Sequence, residues 1–280
     1  MSTLSRFESL SPRIGARAPV SRQELLKPAF AEECLEALER YGVLVFPRLA
    51  LTDEEQIVFS ARLGEIIPMG TMRADGSRDP IFKVTLDPKQ NEAADYLKGT
   101  IYWHIDGATD DVPARATMLS ARQVSPVGGQ TEFCNTYAAY DDLPEAERPY
   151  YESLRIGHSL EAANRLTTPD PSEKELALWR ARGPAKEHPL VWRHRTGRKS
   201  LVLGATAGYV VGMSKEDSRR LLAKLEAHAT RREIVYRHEW QVGDLVIWDN
   251  CGTMHRVIPY DPSSGRMMHR TTLHGIEAIA

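Results

Sequence analysis

Apolar positions in the N-terminal part of the chain follow first a helical and then a strand spacing. They recur every three or four residues over 29–41, which predicts a helix. The unbroken apolar run at 43–46 predicts a strand that is buried on both faces. Thr52 and Glu55 have the spacing of a capping box, so a second helix is predicted to begin there and to continue to residue 63. This part of the chain is therefore predicted to mix α and β elements.

Strand patterns dominate the rest of the chain. Alternating or continuous apolar positions predict strands over residues 116–124, 131–134, 188–194, 200–203, 234–240, 244–248 and 267–273. Helical spacing predicts helices over residues 143–154, 172–181 and 214–230. Many strands separated by turns, with the helices concentrated elsewhere, are typical of a double-sheet sandwich or jelly roll. The predicted fold class is therefore mainly β with flanking helices.

Two segments lack such spacing. Residues 1–28 are expected to form a loosely ordered N-terminal arm ahead of a single domain over 29–280. Residues 66–100 are rich in Gly, Pro and polar residues, with a short strand-like run at 81–84. A loop of this length inside a compact domain is usually functional or disordered. It is a candidate lid, and a tolerated surface insertion is the alternative.

Composition narrows the protein class. Of the 280 residues, 42% are hydrophobic and 26% are charged, which is ordinary for a soluble globular protein with a core. The formal charge of −2 supplies no field that would attract nucleic acid or a membrane surface. The three widely spaced cysteines fit a reducing cytoplasm. The sequence has no apolar run long enough for a membrane-spanning helix, so no membrane span is expected. We therefore expect a cytoplasmic protein without nucleic-acid or membrane partners.

The most informative short segment is residues 103–107, which contains two metal-ligand side chains. On an assumed strand, His104 and Asp106 would project from the same face and Ile105 from the other. One more histidine would complete a 2-His-1-carboxylate triad, which leaves open coordination positions on non-haem Fe(II).

The chain contains nine histidines, and histidine chemistry alone would allow any of them to be the third ligand. His255 is favoured by its context, because it follows a predicted strand and a turn. His194 and His238 lie beside arginines and are predicted to be surface residues. His228 is predicted to pack or to cap on the helix over 214–230.

Two arginines near the C-terminus could lie on one inward face. If residues 266–273 form a strand, Arg266, Met268 and Arg270 share a face. Buried guanidinium groups need anionic partners, and they match carboxylates bidentately. The pattern therefore indicates a pocket for one or two acid ligands, with an exposed strand edge as the alternative.

Five motifs occur in an order and at separations that resemble the TauD/TfdA family of Fe(II)- and 2-oxoglutarate-dependent dioxygenases. These motifs are residues 103–106 (Trp-His-Ile-Asp), residues 128–131 (Gly-Gly-Gln-Thr), residues 248–250 (Trp-Asp-Asn), His255, and the pair Arg266 and Arg270. The resemblance extends over about residues 30–275 and is nearest to the 2,4-dichlorophenoxyacetate dioxygenase branch. It implies a double-stranded β-helix, the jelly-roll fold.

The resemblance also implies roles for individual residues. His104, Asp106 and His255 would hold Fe(II). Thr131 and Arg266 would bind the distal carboxylate of 2-oxoglutarate, the co-substrate used together with O2. Relatives in the family further suggest a homodimer or homotetramer.

Substrate contacts are the least constrained part of the prediction. By resemblance, Arg270 would pair with an anionic group of the substrate. Tyr102 indicates an apolar or aromatic substrate body, unless it packs in the core. Arg73 and Lys83 could form a second anion clamp from the candidate lid, unless they face solvent.

The implied reaction is hydroxylation of a C–H bond in a small anionic organic substrate, with release of succinate and CO2. The substrate would be an aryloxyacetate or another carboxylate, and an ether link would break where the oxidised carbon bears oxygen. Retention of Asp106 predicts hydroxylation and not halogenation. Three alternatives are a sulfonate or alkyl sulfate dioxygenase, a zinc hydrolase, and a non-catalytic jelly-roll domain that binds metal.

Two positions depart from the family pattern. Ile105 stands where Ser or Thr is usual between the histidine and the aspartate, which predicts a packing change without loss of a ligand. Cys251 stands where arginine often follows Trp-Asp-Asn. It is either a reactive thiol beside the metal or a buried, inert cysteine.

Overall fold

The computed structural model describes residues 3–280. The helices are α1 (Arg22–Leu25), α2 (Pro28–Tyr41), α3 (Asp53–Leu63), α4 (Ala94–Leu97), α5 (Thr136–Asp141), α6 (Arg148–Glu152), α7 (Leu160–Thr167), α8 (Glu173–Ala181) and α9 (Lys215–Ala229). Short 3-10 turns cover Thr3–Arg6, Lys98–Ile101, Glu145–Glu147, Arg232–Ile234 and Pro262–Ser264.

The sixteen strands of the described residues mostly follow one another in groups of two to four. They are β1 (Glu8–Ser9), β2 (Ala16–Arg17), β3 (Val43–Phe46), β4 (Ile66–Ile67), β5 (Phe82–Val84), β6 (Ala116–Gln123), β7 (Thr131–Asn135), β8 (Arg155–His158), β9 (Lys186–Pro189), β10 (Val191–Arg193), β11 (Lys199–Leu201), β12 (Ala207–Val210), β13 (Val235–His238), β14 (Leu245–Asp249), β15 (Thr253–Val257) and β16 (Met267–Leu273).

Two sheets enclose the interior. The larger has the strand order β1-β2-β3-β14-β6-β16-β4, with β5 also paired to β16, and the smaller has the order β13-β7-β15. Strands β12, β8 and β9 form a third sheet in that order, and β10 and β11 form a separate two-stranded hairpin. The prediction of a mainly β protein with flanking helices is therefore confirmed.

Strand β3 shows how the larger sheet separates two cores. Leu44 and Phe46 pack with apolar residues of α2 and α3 on one face. Val43 and Val45 pack on the other face, against interior residues that include Trp248. Because successive side chains point to opposite faces of a sheet, a strand between two cores is apolar throughout. The predicted burial on both faces is confirmed.

Helices with clear end signals lie where the sequence places them. Thr52 and Glu55 form the capping box of α3, Ser172 caps α8, and Ser214 caps α9. The helix predicted over 143–154 is only partly helical, because a 3-10 turn precedes α6. Helix α5 was not predicted, since five of its six residues are buried and a fully buried helix shows no periodicity.

The N-terminal segment is packed, in contrast to the expected loose arm. Phe7, Ala16 and Leu25 are buried in the core beneath α2, and Ile14 joins the core between the two sheets. Strand β2 extends the larger sheet by pairing in parallel with β3. These apolar residues are too widely spaced to form a periodic pattern, so only their long-range partners show that they are buried. Residues 1 and 2 lie outside the described part.

The segment over 66–100 contains regular elements. It includes β4, β5 and α4, and a bridge joins Met72 to Arg78. Both strands pair with β16, which ties the segment to the larger sheet. Among residues 3–280, no helix is both long and apolar enough to cross a membrane.

Candidate functional site

Two histidines from distant parts of the chain meet at a single backbone bridge. The amide of His104 donates to the carbonyl of His255 over 3.0 Å, and the amide of His255 donates back over 2.9 Å. His255 lies on β15, but His104 lies in an isolated bridge outside any regular strand. The assumed strand over 103–107 is therefore wrong. Asp106 lies in the turn that follows the bridge at His104.

His104, Asp106 and His255 form one cluster of potential ligands. Their ligand atoms all lie within 4.8 Å of one another, and no other group of this kind occurs among residues 3–280. Nε2 of His255 is 3.8 Å from Oδ2 of Asp106. Two imidazoles and one carboxylate are the donor set of a 2-His-1-carboxylate site for Fe(II). The donor types and their mutual distances therefore fit such a metal ion.

The charge state of the cluster also suits a divalent cation. Burial lowers the pKa of both histidines, most strongly at His255, so both imidazoles are neutral near pH 7. Burial alone would raise the pKa of Asp106, but Arg270, the two histidines and a hydroxyl hydrogen bond together lower it below its usual value. Neutral imidazoles and an ionised carboxylate are the forms that bind metal.

A backbone contact orients one of the imidazoles. Nδ1 of His104 lies 2.8 Å from the carbonyl oxygen of Tyr102, and a carbonyl can only accept a hydrogen bond. Nδ1 therefore carries the proton, which leaves Nε2 as the free ligand atom.

A chain of three side chains orients the carboxylate. The Thr117 hydroxyl donates to Oδ2 of Asp106 over 2.8 Å. The amide nitrogen of Asn250 donates to that hydroxyl over 3.0 Å, and the indole of Trp248 donates to the Asn250 oxygen over 3.0 Å. Trp248 and Asn250 of the Trp-Asp-Asn motif are thus hydrogen-bonded to Asp106 through Thr117. The sequence motifs do not include Thr117.

Replacing Thr117 with valine is expected to weaken binding of a divalent metal about 10- to 100-fold, because the carboxylate loses its orienting hydroxyl. The measurement is a Co(II) titration followed by visible absorption. Ser120→Ala is the matched control, since Ser120 lies on the same strand but donates to Gln56 on the opposite face. Unchanged affinity in Thr117→Val would show that the hydroxyl does not orient Asp106.

Arg266 is a buried cation without an anionic partner. It is 3% exposed, and no carboxylate in residues 3–280 lies within ion-pairing distance of it. Its guanidinium carbon lies 4.8 Å from the ring of Tyr260, and burial lowers its pKa. A buried charge of this kind is costly unless a ligand pairs with it. The site therefore fits a bound carboxylate.

The Gly-Gly-Gln-Thr motif provides space beside this arginine. A Cβ atom at Gly129 would lie 3.0 Å from Cδ and Nε of Arg266, so the arginine side chain passes directly over this residue. Thr131 is buried on β7, two residues before Phe133, which pairs with His255 and stacks on its ring. Because alternate strand residues share a face, Thr131 and Phe133 both face the interior.

Arg270 borders the metal-ligand cluster. Its Nη1 is 3.7 Å from Oδ1 of Asp106, and its side chain is 15% exposed. Its Nε atom is buried and has no hydrogen-bond partner. Phe82 lies under the guanidinium at 5.2 Å, and the sulfur of Met69 is 3.3 Å from Nη2. Neither Phe82 nor Met69 was predicted to lie at the site; Phe82 belongs to the strand-like run at 81–84, whereas Met69 lies outside it.

Three further sequence-based assignments fail or change. Lys83 pairs with His269, whose ring contacts Asp53 on the outer face of the sheet, so Lys83 points away from the metal-ligand cluster. Arg73 is 51% exposed and pairs with Asp79 within the loop. The hydroxyl of Tyr102 donates to a carbonyl of α7, so its side chain is directed to that helix. Tyr102 contacts the site through its backbone carbonyl, which accepts from Nδ1 of His104.

Two histidines predicted to lie at the surface are buried. His194 and His238 are 6% and 5% exposed, and each has a carboxylate partner, Glu277 and Asp244 respectively. Charged neighbours in the sequence suggested exposure, whereas partners from distant residues make burial possible. Nε2 of His228 lies 2.8 Å from the carbonyl of Ala139 and 3.4 Å from Nη1 of Arg231, which agrees with a packing role.

Both departures from the family pattern have structural explanations. Ile105 is buried in an apolar cluster with Trp103 and Ala108, as expected for a packing role. Cys251 is partly buried, and burial together with Asp249 raises its pKa well above the usual value. Its thiol is therefore protonated near neutral pH, which agrees with an inert cysteine.

Comparison with known proteins supports the same assignment. The family model described as "Taurine catabolism dioxygenase TauD, TfdA family" matches residues 6–272. The alpha-ketoglutarate-dependent 2,4-dichlorophenoxyacetate dioxygenase of Cupriavidus pinatubonensis is 37% identical over 268 residues, which cover 90% of this chain and 91% of the relative. An alpha-ketoglutarate-dependent sulfate ester dioxygenase of Pseudomonas putida is 32% identical over 271 residues, which cover 94% and 87%.

Solved structures agree with the sequence relatives. The crystal structure of AAD-2 in complex with Mn(II) and N-oxalylglycine has a TM-score of 0.82 and 33% identity, and the match covers 98% of both chains. This likeness confirms the predicted jelly roll. The family model and the relatives together show that this chain belongs to the TauD/TfdA family, whose members are Fe(II)- and 2-oxoglutarate-dependent dioxygenases that consume O2.

Proposed function

We propose that this dioxygenase hydroxylates a C–H bond of a small organic acid of the aryloxyacetate type. The observation that carries the proposal is Arg270, whose unpartnered, buried Nε lies beside the metal-ligand cluster. A guanidinium in this position can pair with a carboxylate and hold the neighbouring carbon near the metal. The 2,4-dichlorophenoxyacetate dioxygenases are relatives of matching length.

In this proposal the remaining site residues have the following roles. His104, Asp106 and His255 hold Fe(II). Arg266 and Thr131 bind the distal carboxylate of 2-oxoglutarate. Support comes from the geometry of the three ligands, from the unpaired buried charge of Arg266, and from the inward position of Thr131.

The chemistry that Fe(II) and 2-oxoglutarate supply when bound is the activation of O2, with release of succinate and CO2 and delivery of one oxygen atom to the substrate. The protein contributes positioning. Thr117 orients Asp106, and Arg270 holds the substrate acid. Phe82 and Met69 cover the guanidinium, which reduces competition from water for the same contacts.

The structure of the substrate would determine the final product. Where the hydroxylated carbon also carries an ether oxygen, the product is a hemiacetal, which breaks into an alcohol or phenol and an aldehyde. An aryloxyacetate would thus give a phenol and glyoxylate. Where the carbon carries no oxygen, the hydroxylated acid is itself the product.

Replacing Arg270 with glutamine is expected to raise KM for the organic acid by at least about 30-fold, because a buried charge pair lost from one side costs about 2–5 kcal/mol. The KM for 2-oxoglutarate should change far less. The measurement is succinate formation stimulated by a panel of aryloxyacetates, alkyl carboxylates, sulfonates and sulfate esters. Stimulation by no aryloxyacetate, or an unchanged KM in the variant, would contradict the proposal.

A sulfate ester or sulfonate is the second candidate substrate class. Arg270 can pair with a sulfate oxygen as well as with a carboxylate, and a sulfate ester dioxygenase is among the relatives. Tetrahedral and planar anions present different oxygen arrangements to one guanidinium, so the panel separates the two classes by kcat/KM. Higher values for sulfate esters would favour this second class.

We also propose that residues 66–100 act as a lid over the substrate. Met69 and Phe82, both from this segment, contact Arg270. Slower hydrogen exchange over 66–100 when substrate is added would support the lid, and unchanged exchange would oppose it.

We also propose that the protein is cytoplasmic and that it forms a homo-oligomer. The three free cysteines fit a cytoplasmic protein. A homodimer or homotetramer is proposed from the family resemblance, and sedimentation analysis at several concentrations would test it.

A further inference from the structure

The two residues that flank the bridged histidines also contact each other. His104 and His255 are antiparallel partners, so Trp103 and Arg256 are the next residues on the two sides of the bridge. The guanidinium carbon of Arg256 lies 4.7 Å from the ring centre of Trp103. This is within the range of a cation–π interaction, which is stronger when the ring is buried. Trp103 is buried.

Arg256 is itself held in place. Its Nε and Nη2 both lie 2.7 Å from Oε2 of Glu132, the residue opposite it on β7. Arg237 on β13 contacts the other oxygen of the same carboxylate at 3.2 Å. The Glu132 side chain is mostly buried. A guanidinium with both contacts to a buried carboxylate has little rotational freedom, so it presents a fixed surface to the indole.

Trp103 is also held through its own backbone, by the segment that follows β11. The amide of Ala205 donates to the carbonyl of Trp103 over 2.7 Å. Gly204 approaches so closely that a Cβ atom there would lie 2.7 Å from the same carbonyl oxygen. Arg256 therefore contacts the indole of Trp103, and this segment contacts its main chain.

His104 depends on this hold: the carbonyl of Tyr102 orients its ring, but its backbone is fixed by the bridge to His255 and by whatever holds Trp103. It lies in a bridge of two hydrogen bonds, outside any regular strand, whereas His255 is part of β15. A ligand that can move must be ordered when metal binds, and the cost of ordering it lowers the affinity. Whatever fixes Trp103 also fixes the backbone of His104, the next residue.

We propose that Arg256 is a positioning residue that, through Trp103, holds His104 in the geometry for metal binding. The inference rests on the proposed role of His104 as a metal ligand. It assigns no contact between Arg256 and the metal or the substrate. For the change in metal affinity when Arg256 is replaced, it predicts the opposite sign to simple electrostatics. Removing a nearby positive charge should tighten binding of a divalent cation, whereas losing a positioning contact should weaken it.

The test compares the dissociation constant for Co(II), followed by visible absorption, in the full-length protein and in Arg256→Met. Methionine keeps an apolar stem of similar length but loses the charge. We expect affinity to fall about 10-fold, the lower end of what loss of an outer partner of a metal ligand costs. Arg256→Lys keeps a cation near the indole and should restore part of the affinity.

Arg237→Gln is the matched control. It removes an arginine from the same Glu132 carboxylate but makes no contact with Trp103. Its Co(II) affinity should equal or slightly exceed that of the unmodified protein. Thermal unfolding of each metal-free variant measures folding separately from metal binding.

The possible results separate the positioning role of Arg256 from the proposed metal site itself. Equal or tighter Co(II) binding by Arg256→Met, or equal weakening by Arg237→Gln, would overturn the positioning role alone. No Co(II) binding by the unmodified protein would overturn the proposed metal site and this inference with it. If Arg256→Met does not fold, Arg256→Gln decides the question, because glutamine keeps a donor for Glu132 but loses the charge over the indole; Co(II) affinity equal to that of the unmodified protein would then overturn the positioning role.

Discussion

Replacing Asp106 with alanine is expected to abolish 2-oxoglutarate turnover and to weaken metal binding by more than about 100-fold. Loss of a residue that only hydrogen-bonds a metal ligand already costs up to about 100-fold, and Asp106 is itself a proposed ligand. Asp106 is the only anion of the ligand cluster, and its pKa lies below the usual value, so it is ionised across the working pH range. Removing it takes away both a ligand atom and the charge that offsets a dication. The measurements are Co(II) affinity and succinate formation with Fe(II) and 2-oxoglutarate.

Asp111→Asn is the matched control for this change. Asp111 follows the same turn but is 74% exposed and forms a surface ion pair with Lys186. Surface pairs contribute little, so both metal affinity and turnover should stay near those of the unmodified protein. Full hydroxylase activity in Asp106→Ala would remove this residue from the ligand set, and with it the 2-His-1-carboxylate interpretation.

The second large effect is expected at Arg266. Arg266→Met should raise KM for 2-oxoglutarate by at least about 30-fold, because a buried charge-assisted pair with the distal carboxylate is lost. Saturating 2-oxoglutarate should recover much of kcat, since the lost contact holds the co-substrate equally before and during the reaction. The measurement is succinate formation against 2-oxoglutarate concentration at saturating metal.

Comparison with Arg270→Gln makes this prediction specific. If the two arginines bind different acids, Arg266→Met changes KM for 2-oxoglutarate and Arg270→Gln changes KM for the organic acid. Both substitutions raising the same constant would contradict the assignment. Arg266→Met should not lower the thermal stability of the protein without ligands, because within residues 3–280 its buried charge has no carboxylate partner.

Elements with local chemical signals could be predicted from the sequence. The capping box of Thr52 and Glu55 marked the start of α3 correctly, because a cap involves only residues within one turn. Helix α5 and the packed N-terminal segment could not be predicted in the same way. Their burial depends on distant partners, such as the parallel pairing of β2 with β3.

The same distinction applies within the site. The residue types and order of the motifs were sufficient to select His104, Asp106, His255 and the two arginines. They were not sufficient to reject Lys83, because the face on which a residue of β5 lies depends on its register with β16. Nor could they identify Thr117, because none of the motifs includes this strand and only the tertiary structure brings its hydroxyl to Asp106.

The sequence by itself determined which side chains are present for chemistry and in what order, and this was enough to identify the family. Only the tertiary structure decided how they meet: a turn, and not a strand, delivers Asp106, and a two-bond bridge joins His104 to His255. It also decided that Arg266 is buried without a carboxylate while His194 and His238 each have one. Periodicity and motifs report on a few neighbouring residues, whereas pairing and loss of solvent depend on contacts between segments far apart in the chain.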